Sequence, residues 1–379
     1  MRTFAPDTFE DAAAALAAAA VAGGAVQIRG AGTKLAWGTA QPRAETELCT
    51  TSLDRVVEHN VGDLTAVVQA GVPFARLREQ LAGKGQMLAI DPPLGNPGEE
   101  ATVGGVIATA DSGPLRHRYG APRDLILGIT VALSDGTIAR AGSKVIKNVA
   151  GYDLAKLFTG SFGTLGLILS VSVRLHPLPL ATATALGASS DPVGLAEAVR
   201  ALSAAPLELE ALDLAWRGGR GGILARCGGA QSARRAKRVA ELMRQLGLDQ
   251  VDVAGSDDAL WARQRAGQRS RGRALVKLAS RPSRLAEILL AVDAAGGMLV
   301  GRAALGTSYV EVDPDAVSRL RGALRSGEYS VVLDAPGDAR AGLDAWGPND
   351  PVALGLMQRV KHRFDPAQAC NPGAFVGGI

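Results

Sequence analysis

The 379-residue chain has little cysteine: Cys49, Cys227 and Cys370, all far apart. No CxxC pair exists, which excludes an iron–sulfur or zinc site of ordinary spacing. A sparse, odd count also fits a reducing compartment better than a disulfide framework. Histidine is nearly as scarce. His59, His117, His176 and His362 form no pair at metal-ligand spacing, so no metal is expected. No apolar run is long enough to cross a bilayer. The alanine run at 12–20 follows Glu10 and Asp11 and reads as a helix, not a signal peptide. A cytoplasmic protein is expected, with membrane contact at most peripheral or through a partner. Charge of one sign is missing too. Lys and Arg total 41 against 37 Asp and Glu, so no charge field calls for nucleic acid. The basic cluster Arg234, Arg235, Lys237 and Arg238 lies in a helical pattern. It reads as a solvated helix face ahead of a phosphate-binding patch.

A 47% hydrophobic fraction supports a sizeable core, and 21% charged residues argue against disorder. The length fits two domains. Patterning predicts a helix over 8–22 stopped by Gly23-Gly24, a strand at 25–29 and a glycine loop at 30–38. A strand at 64–70, a helix at 73–81 and a short strand at 87–90 follow. The stretch 91–123 reads as a long irregular loop, and loops of that length inside a domain are usually functional. Strands 126–133 and 137–141 are joined by Ser134-Asp135-Gly136, a hairpin signal. A helix at 153–158 and a strand at 167–175 come next. Pro177 and Pro179 mark a boundary. Beyond it, strands and helices alternate to about 333, which suggests one antiparallel sheet with helices on one face. A last helix spans 351–363.

Three glycine-bearing segments stand out. The first is Arg29-Gly30-Ala31-Gly32-Thr33-Lys34-Leu35-Ala36-Trp37-Gly38, after a strand. Its glycines permit close backbone approach, and successive N–H groups can form a nest for a pyrophosphate. A Rossmann loop would need glycine at 35 and a Walker A loop Gly-Lys-Ser/Thr; both fail. A tight structural turn is the competing reading. The second runs from Thr102 to Gly113, followed by Tyr119-Gly120 and Asp124; the third is Gly160-Ser161-Phe162-Gly163-Thr164-Leu165-Gly166. Each alone could serve only helix packing or turn geometry. Their order together is harder to dismiss.

That order, with Ser134-Asp135-Gly136-Thr137-Ile138 and Lys147-Asn148-Val149-Ala150-Gly151-Tyr152-Asp153-Leu154, resembles the vanillyl-alcohol-oxidase/PCMH-type FAD-binding family. The resemblance is closest to the branch of D-lactate dehydrogenase and bacterial glycolate oxidase, and Val145 to Leu157 with 160–166 looks like the glycolate oxidase E subunits. It covers roughly 5–178 and the tail from Phe364 to Gly373. It implies an α+β fold. A two-subdomain FAD-binding domain (1–178) would precede a smaller domain of antiparallel sheet and helices (179–350), and a helix and tail (351–379) would return to the first. By the same resemblance, Arg29, Gly30, Ala31, Gly32, Thr33, Lys34 and Gly38 would surround the pyrophosphate. Thr102, Gly104, Gly105, Ala108, Ser112 and Gly113, with Tyr119 and Gly120, would line the diphosphate and ribityl chain. Gly163, Thr164, Gly166 and Ile168 would lie by the adenosine, and Asn371 would approach the flavin ring. Thr33 stands nearest to where relatives often carry a flavin-linked histidine, so FAD is expected to be non-covalent.

Two departures bear on function. Phe162 replaces a glutamate usual in the catalytic branch, and the C-terminal histidine cluster that catalytic relatives use is absent. Oxidising a 2-hydroxy acid needs a base for the hydroxyl proton and cations for the carboxylate. No catalytic residue is therefore assigned. The resemblance implies an FAD-binding subunit of a glycolate oxidase complex, partnered by a homologous FAD-dependent catalytic subunit and an iron–sulfur subunit. A self-sufficient 2-hydroxy-acid dehydrogenase and a flavin-less scaffold are the alternatives. Among single residues, Arg116, His117 and Arg118 read as a solvated loop or an anion contact. Tyr152 reads as a core or flavin-facing ring, and Cys370 as a small buried hydrophobe or a thiol near the flavin.

Overall fold

A computed structural model describes residues 1–39, 44–95, 100–143 and 152–379. The chain forms two compact units. The first comprises 1–112, 120–178 and 348–379; the second comprises 113–119 and 179–347.

The first unit opens with the helix Phe9–Val21. Thr8 caps it by accepting from Asp11 N, which satisfies one of the free N–H groups of the first turn. Ala12, Ala13, Leu16 and Ala20 are buried, one face of a 3.6-residue repeat. That face joins Val26, Leu48, Leu167 and Leu169 in a core cluster. Strand Thr46–Cys49 lies between Arg2–Phe4 and Val26–Arg29 in a parallel three-stranded sheet. The C-terminal tail closes its Val26 edge: Val26 N donates to Ala369 O, and Asn371 N donates to Val26 O. A five-stranded antiparallel sheet follows in the order Val56–Asn60, Thr65–Gln69, Leu167–Arg174, Ile126–Ala132, Ile138–Gly142. The predicted hairpin joins its last two members in sequence.

The expected irregular loop at 91–123 is not structureless. It contains the helices Val103–Thr109, Arg116–Tyr119 and Pro122–Leu125. Two glycines hide the first from propensity. It is held by the Thr102 cap on Gly105 N and by close packing of Gly104 on Ala70. The predicted strand at 87–90 is shorter, Gln86–Met87. Residues 147–151 of the recognised segment lie outside the described residues.

The second unit is built on an eight-stranded antiparallel sheet in the order Asp249–Ala254, Thr182–Ser189, Arg220–Gly228, Ala211–Arg217, Met298–Arg302, Thr307–Val312, Ala274–Ala279, Tyr329–Asp334. Leu212 and Leu214 point into a large core with residues of the helices Pro192–Ala204, Ser232–Gln245 and Leu285–Ala294. Ala211, on the alternate face, packs instead with Trp261 of the helix Asp258–Ala266. The expectation of helices on one face is therefore corrected: this helix covers the other. Beneath it lies a buried polar network. Arg302 Nε sits 3.0 Å from Asp213 Oδ1, and Gln264 and Gln268 donate to Asp213 and accept from Arg302, respectively. Burying that pair requires such partners, and their need for a cover explains a helix whose own apolar face is small.

Candidate functional site

A cleft opens in the first unit. Four pieces of chain bring predicted site residues to its walls, and Thr50 and Ala70 add to them. The loop after the strand Val26–Arg29 supplies Arg29, Gly30, Ala31, Gly32, Thr33 and Lys34. The helix Val103–Thr109 and its cap supply Thr102, Gly104, Gly105 and Ala108. Gly163 and Gly166 come from the third glycine segment, Ile168 from the strand Leu167–Arg174 that follows it, and Asn371 from the tail.

Local chemistry explains the approach. A Cβ on Gly30 would stand 2.0 Å from Thr102 Oγ1, so only glycine lets the first loop pass over the cap. Asn371 ties three segments together. Its Oδ1 accepts from Ile28 N at 2.6 Å, and its Nδ2 donates to Phe162 O at 2.8 Å and Ile28 O at 3.3 Å. Gly163, at φ +71°, leaves room for it: a Cβ there would meet Asn371 Nδ2 at 2.7 Å. Phe162 N donates to Ala108 O at 2.8 Å and Gly160 N to Ile107 O at 3.0 Å, which fixes the third segment on the helix. Phe162 itself takes a positive φ of 57°, uncommon for a bulky residue. Its ring lies 5.7 Å from that of Phe375.

The tail is anchored by a buried cluster. Lys361 Nζ donates to Thr164 O at 2.7 Å, Asp365 Oδ2 at 2.6 Å and Cys370 O at 2.9 Å. Asp365 also accepts from the N–H groups of Ala369 and Cys370. Burial pushes the Asp365 carboxyl up, but the hydrogen bonds from Lys361 and Cys370 N–H help to hold it below the usual range.

Two cations line the cleft, each backed by a buried acid. Arg29 grips Glu47 through Nε and Nη2 at 2.8 and 2.9 Å and donates from Nη1 to Gly30 O. That hydrogen bond holds the Glu47 carboxyl down. Lys34 Nζ lies 3.5 Å from Asp111 Oδ2, with side chains 5% and 0% exposed, and 5.8 Å from the Trp37 ring centre.

Six predicted site residues lie outside the cleft walls. Thr164 is buried, its hydroxyl turned back to Ser161 O and its carbonyl taken by Lys361. Ser112 is buried, and Gly38 ends the first loop beyond the lining. Gly120, at φ +83°, makes the turn ahead of Asp124, which accepts from Ala121 N. Gly113 and Tyr119 belong to the second unit. There the Tyr119 hydroxyl donates to Glu210 at 2.6 Å; burial first, then Glu210, pushes that phenol up. Arg118 donates to Glu208 O in the same unit. Tyr152 is 91% exposed and is neither core nor cleft. Cys370 is fully buried in the core cluster of the first helix, and that burial, helped by Asp365, pushes its thiol up. It is a small hydrophobe. The lining also includes Leu35, Trp37, Thr50, Thr109 and Phe162, which were not singled out as site residues. Of these only Phe162 carried a sequence signal, as a departure from the family pattern.

Residues 2–142 match a family model described as FAD binding domain, and FAD is the cofactor this match supports. The cleft fits it: glycine brings backbone and small residues of three segments close, beside the cation Arg29 and the rings of Trp37 and Phe162. The chain is 37% identical over 49% of its length to the glycolate oxidase subunit GlcD of Bacillus subtilis. It is 39% identical over 34% of its length to the subunit GlcE of Escherichia coli. These alignments span 39% and 36% of the two relatives. An uncharacterized FAD-linked oxidoreductase of Mycobacterium tuberculosis, Rv2280, is 29% identical, with 98% of this chain and 90% of the relative covered. Among solved structures, alkyldihydroxyacetonephosphate synthase superposes with a TM-score of 0.71 at 14% identity, covering 98% of this chain and 76% of that one. The chain thus has that mixed α/β fold.

Proposed function

We propose that this chain is an FAD-dependent 2-hydroxy-acid oxidoreductase that works as a flavoprotein subunit of a glycolate oxidase-type complex. The observation that carries the reading is the cleft itself, where the three glycine segments and Asn371 converge. FAD is held non-covalently: the described lining has no His, Cys or Tyr to form a flavin link. In the bound state FAD supplies the electron acceptor. The chain's own residues bind it, with backbone N–H groups of the first loop on the pyrophosphate and Arg29 beside them.

Among the described residues, the charged side chains of the lining are those of Arg29 and Lys34, each set against a carboxylate. No carboxylate or histidine among the described residues lines the cleft to take a hydroxyl proton. This supports a main catalytic site on a homologous FAD-dependent subunit, with an iron–sulfur subunit to carry electrons on. Relatives named as glycolate oxidase subunits support the same assembly. No helix among the described residues is long and apolar enough to cross a membrane; contact with the inner face of a membrane through partners belongs to the same proposal.

The test is the visible spectrum of the purified full chain after incubation with FAD. A flavin band released by acid precipitation is expected; a colourless protein refutes flavin binding, and a flavin that stays with the precipitate refutes non-covalent attachment. Glycolate and D-lactate reduction of a dye is then measured with the chain alone and with its partners. Full turnover by the chain alone refutes the subunit role.

A further inference from the structure

The helix Pro351–Phe364 has two unlike faces. The inner one holds the tail. Lys361 is buried there and donates to Thr164 O and Cys370 O. Leu354 packs on Gly377, where a Cβ would leave it no room, and the Phe364 ring meets that of Phe158 edge-on at 5.4 Å. On the outer face, Val352, Leu356, Arg359 and Arg363 recur at i, i+4, i+7 and i+11, the repeat of a single helix face. All four are exposed, Val352 at 82% and Leu356 at 55%. The stripe runs about 16 Å at 1.5 Å per residue, apolar in its first half and basic in its second.

Two features of this face have no partner within the chain. The helix carries no acid, and among the described residues neither Arg359 nor Arg363 forms an ion pair. The macrodipole favours a cation in the last turn, which accounts for Arg363. Arg359 stands before that turn, so its placement is not explained that way. Gly355 lies beside the same stripe. Glycine inside a helix costs stability relative to alanine, through backbone entropy. Packing within the chain does not require it: a Cβ there would meet only Arg359 Nη1, at 3.9 Å. Its φ is not positive either. A bare position on an open helix face lets a neighbouring backbone come close.

We propose that the outer face of Pro351–Phe364 docks a partner subunit. The partner surface has an apolar patch on Val352 and Leu356, backbone against Gly355, and carboxylates opposite Arg359 and Arg363. This rests on the subunit reading above. The order of residues along the stripe favours a protein over a lipid surface. A helix lying on a membrane keeps its apolar face in the bilayer and its cations on the opposite, polar face. Here apolar and basic residues follow one another on one face, which matches a partner with an apolar patch beside an acidic one. The docking element is also the one whose inner face fixes the tail that carries Asn371 to the cleft.

The experiment titrates the FAD-loaded full chain calorimetrically with the purified homologous flavoprotein subunit and, separately, with the iron–sulfur subunit. Wild type is compared with Gly355→Leu, Leu356→Ser and Arg359→Glu. Each variant is expected to bind one of the two subunits about tenfold more weakly or worse, and wild-type binding to that subunit should weaken as salt is raised. FAD affinity should stay within about threefold of wild type, since none of the three residues lines the cleft. Gly355→Leu separates docking from damage: leucine is the better helix former, so the urea midpoint of the free chain should hold or rise while binding falls. Where another variant loses its fold, Gly355→Leu decides. Binding that stays near wild type in two or more folded variants overturns the proposal and leaves the subunit reading standing. A wild-type dimer in light scattering that the variants dissociate gives the face to a second copy and also overturns it. Sedimentation with phosphatidylserine-containing vesicles that the variants abolish gives the face to lipid, with the same consequence. A wild-type chain that takes up FAD but binds neither subunit overturns the subunit reading together with this proposal.

Discussion

Replacing Lys361 by methionine removes a charge from a buried polar cluster of the first unit while keeping a long apolar stem. Lys361 is 4% exposed and the Asp365 side chain 0%. The substitution deletes three hydrogen bonds, to Thr164 O, Asp365 Oδ2 and Cys370 O. Asp365 then keeps the N–H groups of Ala369 and Cys370 but loses its countercharge. Breaking a buried pair by removing one partner costs about 3–5 kcal/mol. Against a domain stability of about 5–15 kcal/mol that is a large fraction. Urea unfolding of the FAD-loaded protein, followed by circular dichroism, should show a loss of this size. Asp365→Asn isolates the charge while keeping one acceptor for the tail amides. The double variant should lose less than the sum of the singles, with a coupling of at least about 1 kcal/mol, within the range for residues in direct contact. A loss below about 1 kcal/mol in Lys361→Met, or a coupling near zero, would place the pair with exposed salt bridges and refute the argument that it anchors the tail.

Other perturbations test the same architecture. Gly30→Ala places a methyl on Thr102 Oγ1 and displaces the cap on Gly105 N. It should cost about 1 kcal/mol or more in stability and weaken FAD binding at least tenfold by titration of the apoprotein; unaltered affinity would remove Gly30 from the site. Asn371→Ala loses its bonds to Ile28 and Phe162 and puts alanine at φ +38°, for a combined cost of about 2–3 kcal/mol. Asn371→Gly should recover only the backbone part, and full recovery would show that the side-chain bonds contribute nothing. The folded Asp365 carboxyl lies below its unfolded value of about 3.9. Its stabilisation is therefore present above pH about 4 and lost as pH falls through the lower folded value. Urea midpoints should hold from neutral pH to about 5 and fall below about 4. In Lys361→Met burial then dominates and raises the folded carboxyl above its unfolded value, so stability should rise rather than fall as pH drops towards about 4; identical profiles would refute the assignment.

Parts of this structure were legible from local chemistry. Thr8, the alanine face and Gly23 define the first helix without any tertiary information. The Ser134-Asp135-Gly136 turn fixes the hairpin register. The first glycine loop and Gly104-Gly105 reach the cleft because their function depends on lacking a side chain, and absence of a side chain is visible in a sequence. Other features depend on partners far along the chain. The helix Val103–Thr109 has poor propensity and exists through its cap and its contact with Ala70. Strand Asp249–Ala254 is a sheet edge carrying Asp249 and Asp252, which weaken its apolar signal. Residues 113–119 look continuous with the glycine stretch before them, yet Tyr119 bonds Glu210, 91 positions away. Thr164 adjoins Gly163 in the same motif, but the turn there sends its side chain back to Ser161.

The tail shows most clearly where such reading stops. Lys361 and Asp365 stand four apart near a helix end, a pattern that on an exposed helix contributes about 0.3–0.5 kcal/mol. The same spacing, buried against Thr164 O and Cys370 O, governs roughly ten times as much. Nothing in the five residues distinguishes the two cases. What distinguishes them is the edge of the strand Val26–Arg29, which takes Ala369 and Asn371 as neighbours and so encloses the pair. The contact between Asn371 and Ile28 spans 343 positions, and it places the side chain that spans two walls of the cleft. The value of the local ion pair is thus set by a long-range sheet contact, and the shape of the site depends on both.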